Sequence, residues 1–288
     1  MLRYTTNYDI IFIGEIMNKI KLIGIDLDGT ALNRNKELSE KNKEAFGLCR
    51  KKGIHIVPVT GRPYSGIYEE YKLGMRCDYT ISTNGAAVTD VKSGRRIISH
   101  TMDKKTSLRV MELLKDFDCY FGAFYEGFGY LTRDDLKHEL LKFKNTPLYE
   151  YIQRTRIPID DHYKTLEKFG GCDNIYVIAK NNGIRKEICE TIKDVEDIFY
   201  TCSDYNDVEI GGNCSKGSTL LELAERLSVA PDEVMAIGDS GNDLNMLKSA
   251  GFSVAMENAC DNIKEASDFV TKSCEESGVA YAIEKFVL

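Results

Sequence analysis

Two aspartates separated by one residue end an apolar run near the start of the chain. The segment IGIDLDGTAL, residues 23–32, contains Asp26 and Asp28, followed by Gly29 and Thr30. If the run is a buried strand, the two carboxylates repel each other across a few ångströms, so the rest of the molecule must supply a compensating charge. A hard cation held by oxygen ligands would supply it. The spacing therefore indicates metal-assisted chemistry.

Three further polar groups follow later apolar runs. In an open α/β sheet, ligands collect outside the carboxyl ends of the strands, so these groups are expected to converge with the first aspartates. Carboxylates suit a metal ion, whereas hydroxyl, amide and ammonium groups suit a phosphate. The candidates are Thr60, Gly61 and Arg62 in VTGRP, Lys216 in SKGSTL, and Asp239, Asn242 and Asp243 in GDSGND.

The elements that must position these residues alternate between apolar runs and amphipathic segments. This rhythm predicts an α/β fold with a doubly wound, mostly parallel Rossmann-like sheet. The strands are KIKLIGI, IHIVPV, YTIST, EVMAIG, FSVAM and DFV, although Pro58 is unfavourable in the second of them. The first helix, SEKNKEAFGLCRKKG, has Ser39 as its N-cap and is expected to bury Ala45, Leu48 and Cys49.

After about residue 100 the rhythm changes, which indicates a separate α+β module. Helices are expected at TSLRVMELLKDF, RDDLKHELLKF and IRKEICETI, a hairpin at CYFGAFYEGFGYLT, and strands at NIYVIAK, IFYTCS and DVEI. The predicted organisation is an N-terminal extension at 1–16, a core domain at 17–100 and 211–288, and an inserted cap at 101–210. The cap is expected to set substrate specificity. Its aromatic residues suit either a sugar-sized pocket or the cap's own core.

Composition narrows the class of partner. The 288 residues carry a formal net charge of −7, which provides no basic surface for nucleic acid or anionic lipid. The nine cysteines include no CxxC pair, and the four histidines have no metal-binding spacing, so we expect reduced thiols in a cytoplasmic protein and no zinc site. The first sixteen residues are too short to span a bilayer.

Four motifs in a fixed order resemble the haloacid dehalogenase superfamily, and specifically its Cof-like phosphatases with a type IIB cap. DLDGTAL, VTGRP, SKGSTL and GDSGNDLNML are similar to that family's first to fourth motifs, and STNGAAV and VEI are also family-like. The resemblance extends over almost the whole chain from Met17. It implies an enzyme that hydrolyses phosphoric monoesters.

The resemblance and the chemistry of the residues imply distinct roles for the carboxylates. Asp26 is the expected nucleophile, which attacks phosphorus and forms an aspartyl phosphate, with Mg²⁺ offsetting the repulsion between the two anions. The family also implies the backbone carbonyl of Asp28 as a metal ligand beside Asp26 and Asp239, with Asp243 nearby. The side chain of Asp28 is the expected general acid and base.

The remaining candidates are expected to contact the phosphate. Thr60 offers a hydroxyl and Lys216 a point charge, and Gly61 and Asn242 complete the set. Arg62 suits either a phosphate contact or a salt bridge at a helix start. Asn84 and Gly85 are interpreted mainly as turn residues.

The leading hypothesis is a Mg²⁺-dependent phosphatase that acts on small phosphorylated metabolites, with sugar phosphates favoured. Two alternatives stay open: a phosphosugar mutase similar to phosphomannomutases, and a phosphosugar-binding regulator that has lost hydrolysis. The expected partner is a small phosphorylated metabolite, without nucleic acid or membrane, and the expected assembly is a monomer or weak homodimer.

Overall fold

The structure, a computed structural model, describes residues 19–202 and 206–288, so the predicted extension at 1–16 lies outside the described residues. The described chain divides into two compact units. The first contains Glu69–Thr80, Leu220–Leu288 and the described chain up to Val59, and the second contains Thr60–Tyr68 and Ile81–Thr219. The domain limits expected from the sequence stay a prediction.

Short strands alternate with helices along the described residues. The strands are β1 (Leu22–Ile25), β2 (His55–Pro58), β3 (Tyr79–Ser82), β4 (Ala87–Asp90), β5 (Arg96–Ser99), β6 (Met102–Asp103), β7 (Cys119–Tyr125), β8 (Phe128–Thr132), β9 (Arg156–Ile159), β10 (Gly171–Cys172), β11 (Asn174–Ala179), β12 (Ile198–Thr201), β13 (Asp207–Gly212), β14 (Val234–Gly238), β15 (Phe252–Ala255) and β16 (Phe269–Val270). The helices are α1 (Glu40–Lys51), α2 (Glu69–Met75), α3 (Lys104–Leu114), α4 (Arg133–Lys142), α5 (Pro147–Thr155), α6 (His162–Phe169), α7 (Asn182–Ile192), α8 (Lys216–Arg226), α9 (Leu244–Ser249), α10 (Asp261–Glu265) and α11 (Gly278–Phe286). Short 3₁₀ turns lie at Tyr64–Gly66, Thr83–Gly85, Pro231–Glu233, Gly241–Asp243 and Cys274–Glu276.

A five-stranded sheet with the order β16-β15-β14-β1-β2 forms the centre of the first unit. All of its strand pairs are parallel. The strands β1 and β14 are buried along their whole length, as expected for apolar runs covered by helices. Pro58 is in an outer strand of this sheet, where a missing backbone donor is tolerated. The predicted parallel α/β sheet is confirmed, but the strand predicted at YTIST is not part of it: β3 lies in a separate three-stranded sheet with the order β3-β4-β5.

Helix α1 begins as predicted but buries a different stripe. The hydroxyl of Ser39 accepts from the N–H of Asn42 at 3.2 Å, which confirms the N-cap. The prediction for Leu48 is wrong, because its side chain is 46% exposed. The buried stripe includes Asn42 instead, whose amide donates to the carbonyl of Ala31 and accepts from the N–H of Ala280. The buried face therefore combines this hydrogen-bonded asparagine with Ala45, Phe46 and Cys49, and Leu48 lies outside it.

The second unit contains a six-stranded sheet with the order β12-β13-β11-β7-β8-β9. Its pairs are antiparallel except for β8 with β9, which is parallel. The hairpin predicted between β7 and β8 is confirmed, with Glu126 and Gly127 in its two-residue turn at φ values of 48° and 83°. Sequence reasoning did not assign α5, β9 or α6, although β9 supplies a residue of the site described below.

Within the described ranges 19–202 and 206–288, the structure has no helix that combines the length and apolar character needed to cross a membrane.

Candidate active site

Two neighbouring parallel strands bring Asp26 and Asp239 to the same edge of the first unit's sheet. Asp26 directly follows β1 and Asp239 directly follows β14, and the last residue pair before them in register is Ile25 with Ile237. The N–H of Asp26 continues the ladder by donating to the carbonyl of Ile237 at 3.0 Å. Since both strands end at this edge, the two carboxylates must lie close together.

The three aspartates Asp26, Asp239 and Asp243 form a compact acidic cluster. One carboxylate oxygen from each lies within 4.8 Å of the others. Asp26 and Asp243 are buried, and Asp239 is partly exposed. The donors are all hard carboxylate oxygens at a partly open position, which fits a hard divalent cation better than a soft metal. The cluster can hold a metal ion.

Two neighbours orient the Asp239 carboxylate by hydrogen bonds, and a glycine lies against it. The buried hydroxyl of Thr30 donates to Oδ1 of Asp239 at 2.8 Å. The amide of Asn258 donates to Oδ2 of Asp239 at 3.3 Å and to the carbonyl of Gly29 at 2.8 Å. Gly29 has a φ of +83°, and a Cβ at this position would lie 2.5 Å from Oδ2 of Asp239. The loop after β1 therefore needs glycine both for its conformation and for its approach to this carboxylate.

Asp243 organises the loop that carries Asp239. Its Oδ2 accepts from the backbone N–H groups of Asp239 and Ser240, each at 3.0 Å. Asn242 lies in the same short turn, where its Oδ1 accepts from the hydroxyl of Ser240 at 2.6 Å. Asp243 can therefore set the position of Asp239 in addition to presenting its own carboxylate to a cation.

The side chain of Asp28 is paired with a lysine that sequence reasoning did not single out. The ammonium group of Lys36 lies 2.7 Å from Oδ1 of Asp28, and both side chains are about a third exposed. The backbone of Lys36 is itself held, because its carbonyl accepts from the hydroxyl of Tyr71 at 2.8 Å. The two aspartates of the first motif thus have different surroundings, one buried in the acidic cluster and one beside a cation.

The predicted phosphate contacts of the second motif lie in the second unit, where they join the loop after β3. The carbonyl of Thr60 accepts from the N–H of Asn84 at 3.0 Å, and the carbonyl of Arg62 accepts from the N–H of Thr83 at 2.9 Å. The hydroxyl of Thr60 accepts from the N–H of Arg62 at 3.2 Å. A Cβ at Gly61 would lie 3.2 Å from Oδ1 of Asn84. These hydrogen bonds hold the two loops together.

The loop after β3 has three consecutive residues with positive φ. The values are 54° at Thr83, 54° at Asn84 and 105° at Gly85. Positive φ is rare for a β-branched residue, and such strain concentrates at functional sites. The predicted turn is therefore a strained single 3₁₀ turn, and it connects the neighbouring strands β3 and β4.

Gly85 also anchors the helix that begins with Lys216. The hydroxyl of Thr219 in the first turn of α8 donates to the carbonyl of Gly85 at 2.8 Å. A Cβ on Gly85 would lie 2.4 Å from the carbonyl oxygen of Ser215. Lys216 is 1% exposed, which is unusual for lysine because a buried ammonium group needs polar or charged partners.

Glu209 of β13 is a titratable group near the second motif, and sequence reasoning noted it only within the family-like VEI segment. Asn84 donates a hydrogen bond to its Oε2, and a Cβ at Gly61 would lie 3.3 Å from the same oxygen. Burial raises the pKa of the Glu209 carboxyl to about 7, and the charge of Asp207 adds to this rise. The hydrogen bond from Asn84 and the charges of Lys216 and Arg156 act on this pKa in the opposite direction.

The aromatic residues of the hairpin differ in burial and in what they contact. Tyr125 is buried in the core of the six-stranded sheet and Tyr130 packs against that core, while Phe128 is 46% exposed. Arg133 pairs with Asp160 on the surface, at 2.8 Å. The ring of Phe124 faces a cation, because the guanidinium carbon of Arg156 lies 5.0 Å from its centre.

The fold and the site define a class of protein: an α/β enzyme with a cluster of carboxylates, able to bind a cation, at the carboxyl edge of a parallel sheet. The sequence matches the haloacid dehalogenase-like hydrolase family over residues 23–283, and the chain belongs to that family.

Two relatives and one solved structure show the likeness across nearly the full length. From Bacillus subtilis (strain 168), 5-amino-6-(5-phospho-D-ribitylamino)uracil phosphatase YwtE is 31% identical, with 93% of this chain and 98% of that protein covered. Phosphatase YwpJ of the same organism is 30% identical, with 92% and 99% covered. A haloacid dehalogenase-like hydrolase structure from B. subtilis superposes with a TM-score of 0.81 at 29% identity, over 92% of this chain and 99% of that one. Together these findings identify the chain as a phosphatase of this superfamily.

Proposed function

We propose that this phosphatase hydrolyses small phosphorylated metabolites, sugar phosphates in particular, with Mg²⁺ and through an aspartyl phosphate on Asp26. The observation that carries the proposal is the cluster of Asp26, Asp239 and Asp243, whose oxygens lie within 4.8 Å of one another. Mg²⁺ prefers a coordination shell made of a few carboxylates together with water and phosphate oxygens. When bound, the ion would supply charge neutralisation for an anionic nucleophile and an anionic ester.

Each residue around the acidic cluster then has a defined role in the reaction. Asp26 attacks phosphorus and expels the alcohol, and Asp28 first donates the proton to the leaving oxygen and later removes one from the hydrolytic water. The backbone carbonyl of Asp28 and the side chains of Asp239 and Asp243 would hold the cation with Asp26. Lys36, 2.7 Å from the Asp28 carboxylate, keeps that side chain oriented.

The phosphate contacts are assigned to Thr60, Gly61, Arg62, Asn242 and Lys216. Hydroxyl, amide, guanidinium and ammonium donors aimed at phosphoryl oxygens stabilise the charge that these oxygens carry during transfer. The hydrogen bonds of Thr60 and Arg62 to the strained loop support a fixed geometry for the first three. The near-complete burial of Lys216 supports the last.

The substrate class is supported by a relative. YwtE is named for a substrate that carries a phosphorylated ribityl chain, and it is 31% identical over 93% of this chain. A phosphate on a hydroxyl-bearing carbon chain is therefore the leading substrate type. The pattern of nine scattered cysteines supports a cytoplasmic location for the reaction.

The proposal is tested with p-nitrophenyl phosphate as a generic substrate, assayed with Mg²⁺ and with EDTA. We expect phosphate release that depends on the metal. Asp26→Asn should lower kcat at least a thousandfold, because it removes the nucleophile while conserving size. Its matched control is Asp160→Asn, at an exposed carboxylate of the second unit.

Circular dichroism and the melting temperature verify that both variants fold. Phosphate release that persists undiminished in EDTA would contradict the metal, and near-wild-type turnover by Asp26→Asn would contradict the nucleophile. In a parallel incubation with sugar phosphates as substrates, an isomerised sugar phosphate in place of free phosphate would favour the mutase alternative.

A further inference from the structure

A guanidinium group enclosed by aromatic rings lies in the second unit and has no role in the chemistry proposed above. Arg156 opens β9, and its guanidinium carbon lies 5.0 Å from the ring centres of Phe124 and Tyr176 and 5.4 Å from that of Tyr151. Gly129 on the neighbouring strand leaves room for it, because a Cβ there would lie 2.8 Å from Cδ of Arg156. The site is built around this side chain.

A buried polar chain fixes the orientation of Arg156. Its Nε donates to the hydroxyl of Tyr176 at 3.3 Å, and that hydroxyl donates to Oε2 of Glu139 at 3.2 Å. Its Nη1 donates to the hydroxyl of Thr155 at 3.1 Å. Glu139 and Tyr176 are almost completely buried, at 5% and 6% exposure. Burying a carboxyl group costs free energy even when it is hydrogen-bonded, and burial raises the pKa of Glu139, so this arrangement favours a functional role for the fixed arginine.

Most of the donors of Arg156 remain available. A guanidinium has five N–H groups, and the hydrogen bonds to Tyr176 and Thr155 use two of them. The other three have no acceptor within the part of the chain that the structure describes. Arg156 as a whole residue is intermediate between buried and exposed, so part of it is open to solvent and to a ligand.

A hydrogen-bond acceptor, the carboxyl group of Glu209, lies close enough to Arg156 to feel its charge. The positive charge of Arg156 acts on Glu209, as does that of Lys216. Of the two oxygens of Glu209, Oε2 accepts from Asn84, and Oε1 makes no hydrogen bond with any residue in the described ranges. Oε2 also lies beside Gly61, so this acceptor adjoins the proposed phosphate contacts.

The combination of free donors and a free acceptor selects the ligand chemistry. Glu209 places a carboxyl acceptor near the donors of Arg156, so the pair suits a substrate group that both donates and accepts better than a second anion, which could only accept. A hydroxyl group both donates to a carboxylate and accepts from a guanidinium. Aromatic faces beside the guanidinium provide the apolar contact that the C–H side of a carbon chain needs.

We propose that Arg156 and Glu209 bind hydroxyl groups of the substrate's leaving alcohol, and that Tyr176 and Glu139 are positioning residues that hold Arg156. This inference rests on the proposed phosphatase function and adds the residues that distinguish a polyhydroxylated phosphate ester from a plain one. A site built to hydrogen-bond a substrate hydroxyl discriminates strongly against an analogue that lacks it, because its buried polar groups are then left unpaired.

The test compares two types of substrate on the full chain. One is a panel of sugar and alditol phosphates, and the other is p-nitrophenyl phosphate, whose leaving group lacks aliphatic hydroxyls. The measured quantity is the ratio of kcat/KM for the preferred member of the panel to kcat/KM for p-nitrophenyl phosphate. We expect Arg156→Lys and Glu209→Gln to lower this ratio at least tenfold, mainly through KM. Tyr176→Phe should lower it severalfold.

Matched controls carry the same substitutions at exposed positions of the second unit, Arg109→Lys and Glu187→Gln. A merely structural role would reduce both rates together and leave the ratio within twofold of wild type, which would overturn the inference. It would also be overturned if wild type hydrolyses p-nitrophenyl phosphate but no member of the panel. Absence of metal-dependent hydrolysis of either substrate type by wild type would instead contradict the proposed function. If Arg156→Lys fails to fold, the ratios for Glu209→Gln and Tyr176→Phe decide.

Discussion

Thr30 shows how one buried hydroxyl fixes the direction of a carboxylate in the acidic cluster. Its hydroxyl donates to Oδ1 of Asp239 at 2.8 Å, and the residue is fully buried. Thr30→Val keeps the shape and removes the donor. Loss of a residue that hydrogen-bonds a metal ligand typically lowers metal affinity by about tenfold to a hundredfold. We therefore expect the Mg²⁺ concentration for half-maximal activity to rise by about that factor.

The control for this substitution is Thr191→Val, whose hydroxyl donates to a helix carbonyl on the exposed side of α7. Metal titrations of phosphate release on both variants make the comparison. An unchanged Mg²⁺ requirement in a folded Thr30→Val protein would show that Asp239 does not need this contact.

Glu209 should leave a pH signature in stability. Its pKa is raised to about 7 in the folded chain, by burial first and by Asp207 next, against the opposing charges of Lys216 and Arg156 and the hydrogen bond from Asn84. Between its usual pKa near 4.5 and about 7, the folded state binds more protons than the unfolded state. The free energy of unfolding that this group contributes therefore falls as pH rises through that window.

The measurement is the difference in melting temperature between wild type and Glu209→Gln from pH 4.5 to 8. We expect wild type to lose stability relative to the variant up to about pH 7 and the difference to level off above it. Glu187→Gln provides the control for effects of total charge. A constant difference across the range would contradict the raised pKa.

The three residues of the acidic cluster could be predicted from the sequence because each lies at a fixed offset from the end of a strand. Asp26 and Asp28 follow one strand at fixed offsets, and GDSGND places Asp239 and Asp243 four residues apart. Asn258 could not be found this way. It contacts Asp239 from 19 residues away and the Gly29 carbonyl from 229 residues away, and an isolated asparagine in a loop carries no periodic signal.

At the scale of elements, Gly85 links the strained loop to the start of α8. Its φ is +105°, and a Cβ there would lie 2.4 Å from a backbone carbonyl of Ser215. Gly85→Ala should cost about 1–2 kcal/mol for the left-handed backbone alone, and more for the clash. Because Lys216 follows Ser215, kcat/KM for p-nitrophenyl phosphate should fall as well.

Gly94→Ala separates the two effects. Gly94 has a φ of +68°, and a Cβ at this position would meet no atom within 4 Å, so only the conformational cost applies. Urea unfolding and activity assays are compared for both variants. Equal losses of stability with unchanged activity would show that the contact between Gly85 and Ser215 does not matter for the site.

Strands and capped helices of this chain were predictable where the pattern was simple. Apolar runs identified β1, β2, β14 and β15, and Ser39 marked the start of α1. The segment from α5 to α6 was missed because aromatic, charged and apolar residues mix there without a clear period. Arg156 lies in this segment, and its significance comes from rings and carboxylates on other elements.

At the scale of the whole molecule, long-range contacts determine which residues belong together. The segment Thr60–Tyr68 belongs to the second unit. Within that unit the N–H of Ser65 donates to the carbonyl of Gly127 at 2.9 Å, and Tyr151 packs against Gly66. Such contacts join positions more than sixty residues apart, so no local pattern could reveal them. The net charge of −7 likewise provided no indication of where cations gather.

Mg²⁺ should stabilise the whole folded chain through the acidic cluster. The carboxylates of Asp26, Asp239 and Asp243 lie within 4.8 Å of one another and repel when no cation is present. A ligand that binds only the folded state adds about 2.7 kcal/mol at a hundred times its Kd, so we expect the melting temperature to rise by several degrees in excess Mg²⁺. If the two units unfold separately, the shift should belong to the transition of the first unit, which contains all three aspartates.

Asp239→Asn gives this prediction a sharp form, since it removes one negative charge and keeps an oxygen that can accept from Thr30. Without Mg²⁺ the variant should melt at or above the wild-type temperature because the repulsion is smaller, yet it should lose most of the rise on adding Mg²⁺. Asp116→Asn, at an exposed position of the second unit, should behave as wild type in both respects. Calorimetry in EDTA and in Mg²⁺ distinguishes the outcomes. If Mg²⁺ raises the melting temperature of Asp239→Asn as much as that of wild type, the cation does not bind at this cluster.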